Sequence, residues 1–134
     1  MTLATGGDTQ RFGELRRDRY RLPGASNSTR GLTFGGRYPS QIGTDEIDKI
    51  SIATEGNAQD FGDLTVANHE SGALASSTRG INFGGETAPN SGALLNVIEY
   101  VQISTGGDAA DFGDLAAVVG DDPAGCSDVH GGLG

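Results

Sequence analysis

Two stretches of the chain alternate apolar and polar residues with the period of a half-buried strand. They are I-D-K-I-S-I at Ile47 to Ile52, where Ile50 and Ile52 alternate with polar neighbours, and I-E-Y-V-Q-I at Ile98 to Ile103, where Val101 and Ile103 do the same. Each runs into a phrase ending in F-G-D-L. The phrases are A-T-E-G-N-A-Q-D-F-G-D-L at Ala53 to Leu64 and S-T-G-G-D-A-A-D-F-G-D-L at Ser104 to Leu115. A third version, A-T-G-G-D-T-Q-R-F-G-E-L, lies at Ala4 to Leu15, with Met1 and Leu3 in the places of Ile50 and Ile52, so the chain is expected to begin inside a strand. Phe12, Phe61 and Phe112 are 49 and then 51 residues apart, a period that marks a repeat architecture.

A second block repeats in the same register. P-G-A-S-N-S-T-R-G-L-T-F-G-G at Pro23 to Gly36 returns as G-A-L-A-S-S-T-R-G-I-N-F-G-G at Gly72 to Gly85, and a third copy would place its arginine at His130. Each period therefore predicts four short strands: one approaching S-T-R-G, one on L-T-F or I-N-F, the Ile/Val alternation, and one carrying F-G-D-L. Gly35-Gly36, Gly84-Gly85 and Gly106-Gly107 supply turns that need positive φ. The loop Glu86 to Leu95 is two residues longer than its counterpart after Gly36, which accounts for the change of period. Beyond a short turn at Glu14 to Arg21, no helix is expected.

Four antiparallel strands per period, the second ended by a di-glycine, is how a β-propeller blade is written. The expected fold is all-β, one repeat domain over residues 1–134. Residues 1–15 would supply strands three and four of a blade, 16–64 and 65–115 two whole blades, and 116–134 strands one and two of another. The repeats resemble those of kelch-type propellers. More closely, I-D-K-I-S-I-A-T-E-G-N-A-Q-D-F-G-D-L and S-S-T-R-G-I-N-F-G-G resemble repeats of structural proteins of tailed bacteriophages, especially cyanophages, over nearly the whole chain. The resemblance implies a non-enzymatic virion or decoration protein, assembled in the host cytoplasm and residing in the particle. A tail-fibre or adhesin module binding a host glycan or receptor is the alternative.

Three blades' worth per chain is too few for a closed propeller of about four to eight, whereas two chains would supply about six. A homo-oligomer is thus expected, with a linear stack or a mixed assembly as competing forms. Charge suggests the seam. Residues 1–37 hold seven arginines against three acids, a net of +4, and the remainder nets −13. Arg16, Arg17 and Arg19 are accordingly expected to meet Asp121 and Asp122 of a neighbour. The total of −9 argues against general binding to nucleic acid or an anionic membrane.

With 23 glycines, no Trp and 35% hydrophobic residues, the chain has little large side-chain volume for a solitary core. The single Cys126 excludes an intrachain disulfide. No apolar run approaches the roughly 20 residues of a membrane span, and no signal-peptide pattern is present.

Candidate chemistry is sparse, and neither a metal nor another cofactor is expected. D-F-G at Asp60 and Asp111 invites a kinase comparison that fails, because the first copy is Arg11-Phe12-Gly13 and no phosphate loop accompanies it. Phe12, Phe61 and Phe112 are expected to be buried anchors. Asp108, Asp111 and Asp114 could bind Ca²⁺, but Arg11 stands in the middle of the first copy's set, and turn-capping suits them better. Arg30 and Arg79 are expected to pair with Asp63 and Asp114, or with Asp60 and Asp111, as ties within or between blades. Arg16 to Arg21 is a weak candidate for a basic arm. Cys126 and His130 could pair as nucleophile and base on spacing, with no evident oxyanion site, and His69 has no such neighbour. The loops Arg37 to Gly43 and Glu86 to Leu95, with Tyr38, Gln41, Glu86 and Asn90, are the expected contact surfaces.

Overall fold

The protein is described by a computed structural model covering residues 8–87 and 92–126. Its described residues form eight strands in two four-stranded antiparallel sheets and no helix. The first sheet holds β1 (Gly24–Ser26), β2 (Arg30–Phe34), β3 (Thr44–Ser51) and β4 (Gln59–Asn68) in that spatial order. The second repeats it with β5 (Gly72–Ala75), β6 (Arg79–Phe83), β7 (Leu95–Gln102) and β8 (Ala110–Val119).

Each strand falls where the repeat places it, for identifiable reasons. In the first hairpin Asn27 Oδ1 accepts from the amides of Thr29 and Arg30, both at 2.9 Å, and in the second Ser76 Oγ accepts from Thr78 and Arg79. These side-chain-capped turns are what S-N-S-T-R and S-S-T-R encode. The di-glycines end β2 and β6 at φ of 53° and 101° for Gly35 and Gly36, and 65° and 92° for Gly84 and Gly85. A Cβ at Gly35 would lie 2.5 Å from the Asn68 carbonyl, so the turn needs both the angle and the space.

Phe61 and Phe112 are bulge residues. Ile47 pairs with Gly62 and Asp48 with Asp60, leaving Phe61 over; Ile98 pairs with Gly113 and Glu99 with Asp111, leaving Phe112 over. A bulge residue drops out of the ladder, which turns its carbonyl away from its own sheet.

The core lies between the sheets. Leu32, Phe34, Ile47, Phe61 and Leu64 of the first pack with Ala73, Ala75, Val101 and Ile103 of the second. Neither sheet closes on itself. The whole blades expected at 16–64 and 65–115 correspond to sheets spanning 24–68 and 72–119. Residues 8–19 hold no strand, and none follows Val119 as far as Cys126. The strands expected in 1–7 and 127–134 lie outside the described residues.

Candidate assembly interface

The two sheets are joined by a backbone clasp. The Gly107 amide donates to the Phe61 carbonyl at 2.9 Å and the Ala109 amide to the Asp63 carbonyl at 2.8 Å. In return the Asp63 amide donates to Asp108 Oδ1 at 3.1 Å. The same three bonds join the segment before the first sheet to that sheet: Gly56 to Phe12 at 2.9 Å, Ala58 to Glu14 at 2.8 Å, and Glu14 to Asn57 Oδ1 at 3.1 Å. The F-G-D phrase is thus a docking strip for the G-G-D or G-N turn of the next repeat. A Cβ at Gly13 would lie 1.9 Å from the Gly56 carbonyl and one at Gly62 would lie 2.3 Å from the Gly107 carbonyl, so glycine lets the turn approach.

Phe61 is the buried anchor expected, at 5% exposure, but Phe12 and Phe112 are not, at 39% and 54%. The physical cause is the neighbour. Phe61 lies between its own sheet and the complete one that follows, whereas no described sheet follows Phe112, and Phe12 precedes a complete sheet but has no described strand of its own beside it. Phe112 instead meets Tyr100 edge-on, with ring centroids 5.9 Å apart.

Arg30 does tie the sheets together, but not through Asp63. Its guanidinium donates to the carbonyls of Ile103 and, at 3.0 Å, Ser104. Beside it Asn27 Nδ2 donates to the Ser77 carbonyl at 3.0 Å. Arg79 pairs with neither Asp114 nor Asp111; it is exposed, with its guanidinium carbon 4.9 Å from the centre of the Tyr100 ring. Asp63 is crowded by acids instead. Loss of hydration, followed by the charges of Asp45, Asp108, Asp60 and Glu46, pushes its carboxyl above the usual range.

The arginines expected at an oligomer seam are engaged within the chain. Arg19 is fully buried and bonds Asp48 at 2.5 Å and the carbonyls of Gly35 and Glu46 at 2.7 and 3.0 Å. Arg16 bonds Asp60 at 2.6 Å and Asp48 at 3.3 Å, Arg17 lies 3.5 Å from Glu46, and Arg21 pairs with Glu70. The basic end and the acids after it neutralise each other locally, a pairing that bulk charge does not reveal. Asp121 and Asp122 are exposed at positive φ.

Sequence reading missed the buried acids beneath these contacts. Asp48 and Glu99 occupy equivalent positions in β3 and β7, at 1% and 0% exposure. Glu99 accepts from the amide and hydroxyl of Thr65, both at 2.7 Å, and from Asn82 Nδ2 at 3.2 Å. The available signal was an acid recurring at one place in two otherwise apolar strands.

Of the expected contact loops, Tyr38 is half-buried, its hydroxyl 3.2 Å from Thr44 Oγ1 and from Arg17 Nη1, with the Arg17 guanidinium above its ring at 5.7 Å. Gln41 is exposed at φ 67° beside Ile42, and Glu86 is bridged to His69 and Leu94. Asn90 and His130 lie outside the described residues, and Cys126 is exposed. Asp111 caps its own turn by accepting from the Gly113 amide at 3.0 Å.

His69, Glu70 and Glu86 bring ligand-type atoms within 4.8 Å of one another, and neither nitrogen of the buried His69 ring has a hydrogen-bond partner among the described residues. Burial, then the positive charge of Arg37, holds the imidazole below its ordinary pKa. Arg21 already neutralises Glu70 and Arg37 stands near the ring, so the acid charge here is matched by guanidinium groups. A cleft of about 530 Å³ on the first sheet, bordered by Ser104, is lined by polar groups including Asn27, Arg30, Lys49, Glu55 and Gln59, with no aromatic residue. No known family model matches the chain, and no curated protein matches its sequence.

Proposed function

We propose that the chain is a non-enzymatic structural subunit, a scaffold of kelch-like propeller blades that makes protein–protein contacts in the virion of a tailed phage. The observation that carries the reading is the clasp. The same backbone bonds recur at both described junctions, so the chain is built of units that add to one another through main-chain contacts. Such contacts give geometry and rigidity without a reactive centre. The resemblance of the repeats to those of tailed-phage structural proteins supports the virion setting. Two copies forming a ring of about six blades suit the usual propeller size. Mass spectrometry of purified phage particles encoding the chain tests this: recovery at a fixed ratio to the capsid or tail proteins is expected, and absence from clean particles overturns it.

A glycan-binding tail-fibre module is the second reading, favoured by the polar cleft along Asn27, Arg30 and Glu55. The lack of an aromatic wall there counts against sugar stacking. Retention on a glycan array, abolished by Glu55→Ala, would favour it.

A further inference from the structure

We propose that His69, Glu70 and Glu86 bind one Zn²⁺ per chain, at the place where the link between the sheets meets the second sheet. The inference is independent of the scaffold reading, and each can fail without the other.

His69 and Glu70 lie in the short link between β4 and β5, and Glu86 follows the di-glycine that ends β6. The backbone brings them together. The His69 amide donates to the Glu86 carbonyl at 3.0 Å, and the Glu86 amide to the His69 carbonyl at 2.9 Å. Their ligand-type atoms all fall within 4.8 Å of one another. Zn²⁺ holds imidazole nitrogen and carboxylate oxygen at about 2.0–2.2 Å, so its ligand atoms stand about 3.5 Å apart, and side-chain shifts of about 1 Å close the set.

The imidazole is what distinguishes this place from a plain acidic patch. His69 is 1% exposed, and neither ring nitrogen has a hydrogen-bond partner among the described residues. A neutral imidazole carries one donor and one acceptor, and leaving both unmet where water cannot reach is unfavourable. A cation takes up the lone pair. Burial and Arg37 favour the neutral ring, which is the form that ligates a metal.

The fold does not require these side chains. Forty-nine residues earlier Tyr20, Arg21 and Arg37 occupy the same places. Tyr20 and Arg37 exchange the same two backbone bonds, at 3.0 and 2.9 Å, and Arg21 and Glu70 share a positive φ of 56° and 54°. The first repeat thus builds the same backbone arrangement with no imidazole and no carboxylate. The ligand set belongs to the second repeat alone among the two described.

The site also has a competitor. Arg21 pairs with Glu70, but its side chain is 48% exposed, so it can leave for solvent as the cation arrives. Glu70 stays in place through its backbone, its amide donating to the Arg21 carbonyl at 3.1 Å and its carbonyl accepting from the Asp122 amide at 3.2 Å. An imidazole with two carboxylates suits Zn²⁺ better than Ca²⁺, which prefers oxygen ligands alone. Bound there, the ion fastens the link between the sheets to the second sheet and, through Glu70, to the segment after β8.

The test is calorimetric titration of the untagged full chain with Zn²⁺, after a chelator has been applied and removed. A Cys126→Ser, His130→Gln background keeps the thiol and the other histidine from taking metal. One Zn²⁺ per chain is expected, with a dissociation constant of about 1 µM or tighter. Free Zn²⁺ at about 100 times that constant should raise the thermal midpoint by about 5–15 °C. His69→Gln and Glu86→Gln should each weaken binding about 100-fold or more, with the circular dichroism of a β protein retained. Arg21→Gln should tighten it about two- to fivefold, because Glu70 is then released from its ion pair. A chain that takes up no Zn²⁺ overturns the proposal, as does uptake that either ligand variant leaves unchanged or that Arg21→Gln fails to tighten.

Discussion

Arg19 and Asp48 form an ion pair of 2.5 Å from which water is excluded, their side chains being 0% and 1% exposed. Asp48 lies on β3, whereas Arg19 comes from the segment before the first sheet. Removing one partner strands a charge, so Arg19→Met is expected to cost about 3–5 kcal/mol, read as a lowered urea midpoint. Adding Asp48→Asn should recover a large part of that loss, because the stranded charge goes with it.

Arg30 and Arg79 share one motif position but not one environment. Arg30→Met breaks the bonds to Ile103 and Ser104 and is expected to destabilise by about 1–3 kcal/mol. Arg79→Met loses a stacking contact at the surface and should cost about 1 kcal/mol or less in the monomer. Equal losses in denaturation would contradict the tie between sheets.

The F-G-D glycines give a second matched pair. Gly62 and Gly113 have φ of 153° and 142°, so alanine is strained at both. Only at Gly62 does the new methyl also collide, 2.3 Å from the Gly107 carbonyl. Gly62→Ala should therefore exceed Gly113→Ala by about 1–3 kcal/mol when both are measured under conditions where the chain is monomeric.

Acid sensitivity should trace in part to His69. Burial and Arg37 lower its folded-state pKa below the ordinary histidine value of 6.5, with Glu70 and Glu86 opposing the shift and Arg21 adding to it. The unfolded chain then binds the proton more readily than the folded one. Its contribution is complete above about pH 6.5 and is lost as pH falls from there through the folded pKa. His69→Gln should flatten stability against pH in that window, and an unchanged slope would exclude His69 as the cause.

Asp63 has the opposite sign. Its folded pKa is raised, so the folded state holds the proton more tightly and stability falls as pH rises through the ordinary carboxylate range toward the folded value. Asp63→Asn is expected to stabilise the protein at pH 7 and to make little difference at pH 3, as read from thermal midpoints.

The sequence by itself determined the units and their order. Strand alternation in Ile47 to Ile52 and Ile98 to Ile103, di-glycine stops and the S-T-R-G turns are local instructions, and local steric rules suffice to read them as four-stranded antiparallel sheets. It also marked F-G-D as the organising phrase. Only the tertiary structure decided what that phrase does, because its use depends on a turn some 45 residues away that comes to rest on the Phe61 carbonyl. Identical motifs acquired different fates for the same reason: Phe61 is covered and Phe112 is not, and Arg30 is bound while Arg79 is exposed. The pairing of Arg16, Arg17 and Arg19 with acids of the first sheet was equally hidden. Net charge sums over a chain, whereas ion pairs depend on which side chains the fold sets a few ångströms apart.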